Sequence, residues 1–199
     1  MSRFILAIFF VLAQVSTLPS GPQALERLRA KVSVESVTGA SIERLAGHYK
    51  NTSKELRERV GGFLFGDDLY LFPDGTYIYC EWSDISPVTI SDKGTWSLGE
   101  NSVELKSGPE ITWDPGAYRQ YDRKYAVIRR SSQPKEVLLV GVEYKLSNFE
   151  QSAGDDPGFM LLVVSMKRES TIDGKQATAL KAKLMKSAWR PEYYQKAVR

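Results

Sequence analysis

The feature that most restricts the fold is a tight turn between two short segments of alternating side chains. Residues 69–72 lead into Pro73-Asp74-Gly75, and residues 76–82 follow. Proline fixes φ for a type I turn, aspartate tolerates the next position, and glycine takes the left-handed position that closes a three-residue hairpin. The segment therefore predicts two antiparallel strands that pair with each other.

The second strand of this hairpin presents two different faces, because successive side chains of a strand point to opposite sides. Ile78, Cys80 and Trp82 share one face, which we predict to be the inward one. The opposite face carries Tyr77 and Tyr79. In this arrangement Cys80 is expected to be a small buried hydrophobe rather than a reactive thiol.

The same pattern recurs further along the chain. Residues 94–98 and 102–106 flank Gly99-Glu100-Asn101 as a second hairpin. Three more segments are predicted as strands, namely residues 125–130, 137–142 and 159–166. Short strands joined by local turns predict a mainly β fold, an antiparallel meander over residues 46–170 that is closed as a barrel or folded as a sandwich.

Helical periodicity is confined to the two ends of the chain. Leu25, Leu28 and Val32 recur at helical spacing and Ser41 is a typical N-cap, so residues 24–45 are predicted as an N-terminal helical segment. Residues 173–199 predict a C-terminal amphipathic helix packed on the barrel. Its apolar face recurs at steps of three and four residues through Ala177, Leu180, Leu184 and Ala188.

The chain begins with a segment that predicts export. Arg3 precedes an uninterrupted apolar run over residues 4–13. A membrane-spanning helix needs about 20 such residues. The pattern therefore predicts a secretory signal peptide over residues 1–18, with the cleavage site left open. The mature chain is expected to be secreted or periplasmic, without a transmembrane span.

The composition excludes several classes of function. The chain has 1 Cys and 1 His, which leaves no disulfide framework and no Cys/His set for zinc. Its formal net charge of +3 does not indicate nucleic-acid binding. His48 has no Ser or Cys nucleophile in a recognisable motif and is interpreted as a strand residue. We therefore predict no metal, no cofactor, no nucleic-acid partner and no enzymatic activity.

Two aspartate pairs and one glycosylation sequon are the remaining short polar motifs. Asp67-Asp68 and Asp155-Asp156 are flanked by Gly or Pro, without the spacing of a calcium loop. Such clusters form turns regardless of calcium, so both pairs are predicted as turns. Asn51-Thr52-Ser53 fits a glycosylation sequon, and the sequence leaves open whether Asn51 is modified.

Residues 113–125 are the most unusual stretch, because aromatic side chains alternate there with arginine and lysine. This composition suits stacking on a sugar, a flat ligand or a partner protein. The alternative is a loop folded over one barrel end, with its tyrosines packed on the sheet. The candidate ligand-binding residues are Trp113, Tyr118, Arg119, Tyr121 and Tyr125.

Three of these segments resemble lipocalin-like, calycin-type secreted barrels. Leu45-Ala46-Gly47-His48-Tyr49 resembles the helical turn and first-strand entry of that family, with Tyr49 where tryptophan is usual. Residues 69–77 and 93–105 resemble the meander of small secreted and envelope barrels, which carry the same DGTY and GTW hairpins. Over residues 45–107 the resemblance implies a barrel and a habit of binding small apolar ligands or partner proteins. The resemblance identifies no ligand-binding residue in this chain.

These observations predict an exported, non-enzymatic binding protein. It would hold a small apolar or aromatic ligand in a barrel cavity or at the barrel rim. The alternative is an envelope interaction protein whose basic C-terminal helix contacts an anionic surface or a partner protein. The basic residues of that helix are Lys181, Lys183, Lys186, Arg190, Lys196 and Arg199. A third hypothesis, a hydrolase using two carboxylates, would need the fold to bring them together.

Overall fold

Antiparallel strands close into a barrel in a computed structural model that describes residues 21–63, 65–85, 88–109, 122–146 and 156–186. The strands are β1 (Val34–Ser36), β2 (Gly47–Lys50), β3 (Phe65–Leu71), β4 (Thr76–Ser83), β5 (Thr89–Leu98), β6 (Ser102–Ser107), β7 (Lys124–Arg130), β8 (Leu138–Gly141) and β9 (Ser165–Thr171). The helices are α1 (Gly21–Lys31), α2 (Ile42–Leu45), α3 (Lys54–Val60), α4 (Pro157–Val164) and α5 (Gly174–Met185).

The strand order confirms the predicted mainly β fold and decides for a barrel over a sandwich. Within the described ranges the sheet runs β1-β7-β6-β5-β4-β3-β2-β9-β8, and a further pairing of β7 with β8 closes the ring. All pairings are antiparallel. β1 lies outside the ring as an extra strand on β7 and falls within the segment that we predicted as helical.

The two predicted hairpins form as expected. In the first, Leu71 pairs with Tyr77, and Gly75 takes a φ of 77° in the turn between them. The Asp74 carboxylate accepts from the backbone N–H of Thr76 at 3.1 Å, which holds the turn. In the second hairpin Leu98 pairs with Val103. Local turn chemistry is therefore sufficient to set the register at these two positions.

The predicted inward face of β4 is wrong. Tyr77 and Tyr79 point into the barrel, where they belong to the interior cluster of buried side chains. Ile78 and Cys80 lie outside the barrel, in a second cluster covered by α5 through residues such as Leu184. Both faces of β4 are apolar, because one lines the barrel interior and α5 covers the other. Alternation alone therefore does not tell which face points into the barrel.

The predicted strand over residues 159–166 is also wrong, because most of it is a helix. Asp156 caps α4 by accepting from the backbone N–H of Phe159 at 2.9 Å, and Pro157 occupies the first turn. Four consecutive or near-consecutive side chains of this helix are buried, namely Met160, Leu161, Leu162 and Val164. A short, wholly apolar run does not distinguish a buried helix from a buried strand. β9 starts only at Ser165.

The two ends of the barrel are built differently. At one end, which we call the α2 end, α2 follows its N-cap Ser41, and Leu45 joins the interior cluster. The hairpin turns 72–76 and 98–102 lie at the same end. At the other end, which we call the rim end, β3, β5 and β7 begin and α3 follows β2.

Helices cover the outer surface of the barrel on two sides. On one side, α1 and α4 pack against the outward side chains of β7 and β8 in a single cluster. Leu28 of α1 and Ile128 of β7 belong to this cluster. α5 covers the other side through Ala177 and Leu184. The predicted C-terminal segment continues to residue 199, and its part after residue 186 lies outside the described residues. Within the described ranges no helix is both long enough and apolar enough to cross a membrane.

Candidate functional site

A groove of about 520 Å³ opens at the rim end of the barrel. Its walls come from α3, α4 and the chain around the start of β3, and its floor carries polar side chains. Phe65 and Val60 are exposed, with relative accessibilities of 69% and 46%. Large exposed apolar side chains around a concavity are typical of binding sites. The apolar wall residues are Leu56, Val60, Phe63, Phe65 and Val163.

The floor of the groove is a nearly buried ion pair. Asp67 points to the barrel side of β3, because it alternates with the interior residues Leu69 and Leu71. Lys145 Nζ donates to Asp67 Oδ2 at 2.6 Å, and the two side chains are 7% and 14% exposed. Asn51 Nδ2 donates to the same oxygen at 2.8 Å. Two donors on one oxygen therefore fix the Asp67 carboxylate in position.

Asn51 also ties two strands together at this point. Its Oδ1 accepts from the backbone N–H of Asp67 at 2.9 Å, so the amide makes a reciprocal pair with that residue. The sequon that contains Asn51 thus belongs to the groove floor. Burial, and then the negative charge of Asp67, raise the pKa of the nearby Tyr79 well above its usual value. Tyr79 consequently remains a neutral phenol beneath the groove.

Asp122 holds the backbone that carries Lys145. Its carboxylate accepts from the backbone N–H groups of Glu143, Tyr144 and Lys145 at 2.5, 2.6 and 3.0 Å. Burial raises the pKa of Asp122, although these three hydrogen bonds act in the opposite direction. The carboxylate lies so close to Gly141 that a Cβ there would overlap it. Asp122 is therefore a positioning residue for the groove floor.

A second carboxylate lies deeper inside the rim end. Asp92 is 0% exposed and accepts from the Tyr77 hydroxyl at 2.5 Å and from Ser107 Oγ at 2.8 Å. Arg123 Nη2 in turn donates to Ser107 Oγ at 3.2 Å. Burial, and then Asp92, raise the pKa of Tyr77, so its hydroxyl stays a donor. This network explains how the Tyr77 hydroxyl can be buried in the barrel interior.

His48 lies on the outer surface of the barrel, away from the groove. As expected it is a strand residue, in β2. Its Nε2 lies 2.6 Å from Asp68 Oδ1, and its ring stacks on Tyr70 with centroids 4.2 Å apart. Burial, and then Asp68, raise the pKa of the Cys80 thiol, which keeps it protonated and a poor nucleophile. This group is best explained as packing.

The aspartate pairs do not behave as the sequence predicted. Asp67 and Asp68 are both strand residues of β3, on opposite faces, so the predicted turn is wrong there. Asp156 is a helix cap, and Asp155 lies outside the described residues. Among the described residues no three carboxylate, imidazole or thiol groups are placed to hold a metal ion.

Most of the predicted ligand-binding residues lie outside the described part of the chain. This applies to Trp113, Tyr118, Arg119 and Tyr121. Tyr125 lies in β7 and is 0% exposed, within the interior cluster. Sequence reasoning missed Lys145 altogether. Asn51 was noted only as a sequon, because its partner Asp67 lies 16 residues away along the chain.

Comparisons with known proteins leave the family open. No protein-family model matches the chain, and no curated protein or solved structure matches it either. The lipocalin-like resemblance therefore stays a prediction.

Proposed function

We propose that this is an exported, non-enzymatic binding protein that holds a small, mainly apolar ligand in the rim groove. The observation that carries the proposal is the combination of exposed apolar walls with a fixed Asp67–Lys145 pair as floor. Ligand pockets are usually apolar concavities with a few placed polar groups, and their volumes are about 300–1,000 Å³. The groove fits this description.

The groove is a better candidate than the barrel cavity that the sequence favoured. The described interior is occupied by the protein's own side chains, which pack in one cluster with exposures of 5% or less. Its largest members are Tyr49, Tyr77, Tyr79, Trp96 and Tyr125. The groove also lies at one end of the barrel, but its described lining residues differ from residues 113–125, on which the sequence placed a rim site.

The polar end of the ligand is expected to be a hydrogen-bond acceptor such as a carboxylate or sulfonate. An ammonium group has three donors, and Asp67 is the acceptor that Lys145 Nζ contacts among the described residues. Asp67 Oδ2 already accepts from both Lys145 and Asn51, so a ligand cation would have to compete with the Lys145 ammonium for this carboxylate. The floor therefore favours an acceptor over a cation.

The same pair supports binding rather than catalysis. A general base or nucleophile must be free to reach the substrate, whereas Asp67 and Lys145 are held against each other. Export rests on the N-terminal apolar run, since residues 1–18 lie outside the described part of the chain. We therefore propose a secreted or periplasmic location for the mature protein.

The alternative function, contact with an anionic surface through the C-terminal helix, has one observation in its favour. Lys175 and Lys186 of this segment are exposed, while Ala177 and Leu184 anchor α5 on the barrel. Lys181 is directed elsewhere, because it pairs with Asp74 at the α2 end. The described part of the helix thus offers fewer free cations than the sequence indicated.

A dye titration tests the groove. The probe is 1-anilinonaphthalene-8-sulfonate, which has an apolar body and an anionic end, and its fluorescence reports binding to apolar sites. Because removing a large apolar contact costs about 1.5–3 kcal/mol, Val60→Ala with Phe65→Ala should weaken binding at least tenfold. Both side chains are exposed, so the variant is expected to fold.

The matched control removes an exposed apolar side chain outside the groove. Ile85 is 89% exposed and does not line the groove, so Ile85→Ala should leave the dye affinity unchanged. Equal affinity of all three proteins for the dye would show that the groove is not the binding site.

A further inference from the structure

The α2 end of the barrel carries a second concavity, with a different chemistry. A cavity of about 320 Å³ and a neighbouring one of about 520 Å³ share Lys135, Glu136 and Arg168 in their linings. We call the two together the basic basin. Its cations come from separate elements and are Arg44, Arg129, Lys135, Lys167 and Arg168. The one carboxylate in these two linings is Glu136.

Two of the five cations are already neutralised. Lys167 Nζ lies 3.0 Å from Glu136, whose second oxygen faces Arg130 Nε at 3.0 Å. Arg129 Nη2 lies 3.0 Å from Glu35. These pairs leave Glu136 without spare negative charge to offer the rest of the basin.

The remaining three cations have no such partner. In the described part of the chain, no carboxylate lies within ion-pair distance of Arg44, Lys135 or Arg168. Arg168 is nevertheless held in place, since its Nη1 donates to the backbone carbonyl of Arg44 at 2.6 Å. Like charges that converge on a concavity repel one another unless an anion joins them.

We infer that the basic basin binds a multiply charged oxyanion of the phosphate type. The planar guanidinium of arginine matches the oxygen geometry of phosphate, and lysine adds a mobile point charge. A dianion would be surrounded by three positive charges from α2, from the β7–β8 turn and from β9. The site is distinct from the rim groove, so it stands or falls independently of the proposed function.

The test is calorimetric titration of the full mature chain with inorganic pyrophosphate. We expect saturable binding that weakens about tenfold in the double variant Arg44→Gln with Lys135→Gln, because each removed charge contributes a modest contact. Both side chains are exposed, and the Arg44 carbonyl that holds Arg168 is retained. Lys135→Gln alone replaces the double variant if the latter fails to fold.

The matched control is Lys54→Gln with Lys106→Gln, which removes the same charge from exposed positions outside the basin. A second arm distinguishes the source of the phosphate group by sedimentation with vesicles that contain phosphatidic acid, whose headgroup is a phosphate monoester, against phosphatidylcholine vesicles. Binding to pyrophosphate that only the basin variant weakens supports a free phosphate ligand. Vesicle binding that only the basin variant loses supports a lipid headgroup. Equal weakening in basin and control variants, or no binding in either arm, overturns the inference.

Discussion

The two ends of the barrel place charge in opposite ways. At the rim end, Lys145 is 7% exposed and lies against Asp67, so an apolar groove is left with a neutral floor. At the α2 end, Arg44, Lys135 and Arg168 line a concavity without carboxylate partners among the described residues. The difference shows that one barrel can present an apolar surface and an anion-attracting surface at the same time, because the strands keep the two ends apart.

The largest expected effect comes from breaking the rim-end ion pair. Lys145→Met leaves the Asp67 carboxylate buried without its cation, and the loss of one partner of a buried pair costs about 3–5 kcal/mol of unfolding free energy. Arg129→Met at the α2 end should cost far less, because Arg129 is 37% exposed and water can replace it beside Glu35. Urea denaturation of the two variants measures the difference.

A further substitution shows whether the cost comes from the uncompensated charge. Asp67→Asn added to Lys145→Met removes the buried carboxylate, so the double variant should recover part of the lost stability. If the double variant is as unstable as Lys145→Met alone, the pair contributes packing rather than electrostatic compensation.

The next effect concerns the backbone that carries Lys145. A methyl group at Gly141 would overlap the Asp122 carboxylate, so Gly141→Ala should destabilise the protein by about 1–3 kcal/mol. Gly174→Ala is the matched control, because nothing lies within 4 Å of its Cβ position at the start of α5. Thermal unfolding of both variants tests the contrast. Equal melting temperatures would mean that Asp122 can move aside and does not fix the groove floor.

The sequence predicts those parts of this fold that depend on local chemistry. The turn at Gly75 and the N-cap at Ser41 each depend on a few neighbouring residues, and the structure contains both. The inward face of β4 depends on α5, which lies about a hundred residues away along the chain, and it was predicted the wrong way round. α4 was missed because its residues are apolar on every side.

The candidate site could not be predicted for a related reason. Lys145 and Asp67 are 78 residues apart in the sequence, and the Asp67-Asp68 pair predicts a turn rather than a partner for a distant lysine. The strand order β3-β2-β9-β8 brings the turn after β8 to the same end of the barrel as the start of β3. The basic basin likewise joins α2, the β7–β8 turn and β9. A pairing between distant single residues leaves no local signal, so both sites become visible only in three dimensions.

The smallest expected effect is a pair of opposite pH dependences at the two ends. At the rim end, burial raises the pKa of Asp122 above its unfolded value of 3.8. The folded protein then binds more protons than the unfolded chain. The stabilisation that comes from protonated Asp122 is therefore present below the unfolded pKa and is lost as pH rises through the folded pKa. Asp122→Asn should remove this decline.

At the α2 end the sign is reversed. Burial pushes the pKa of Asp74 upward, but hydrogen bonds from Lys181 and Thr76 outweigh it and lower the pKa below 3.8. Its contribution is therefore present above the unfolded pKa and is lost as pH falls through the folded pKa. Chemical denaturation between about pH 3 and pH 7 should show wild type losing stability relative to Asp122→Asn as pH rises, and gaining stability relative to Asp74→Asn. If both differences change in the same direction, the two carboxylates do not occupy opposite electrostatic environments, and the contrast between the barrel ends fails at these positions.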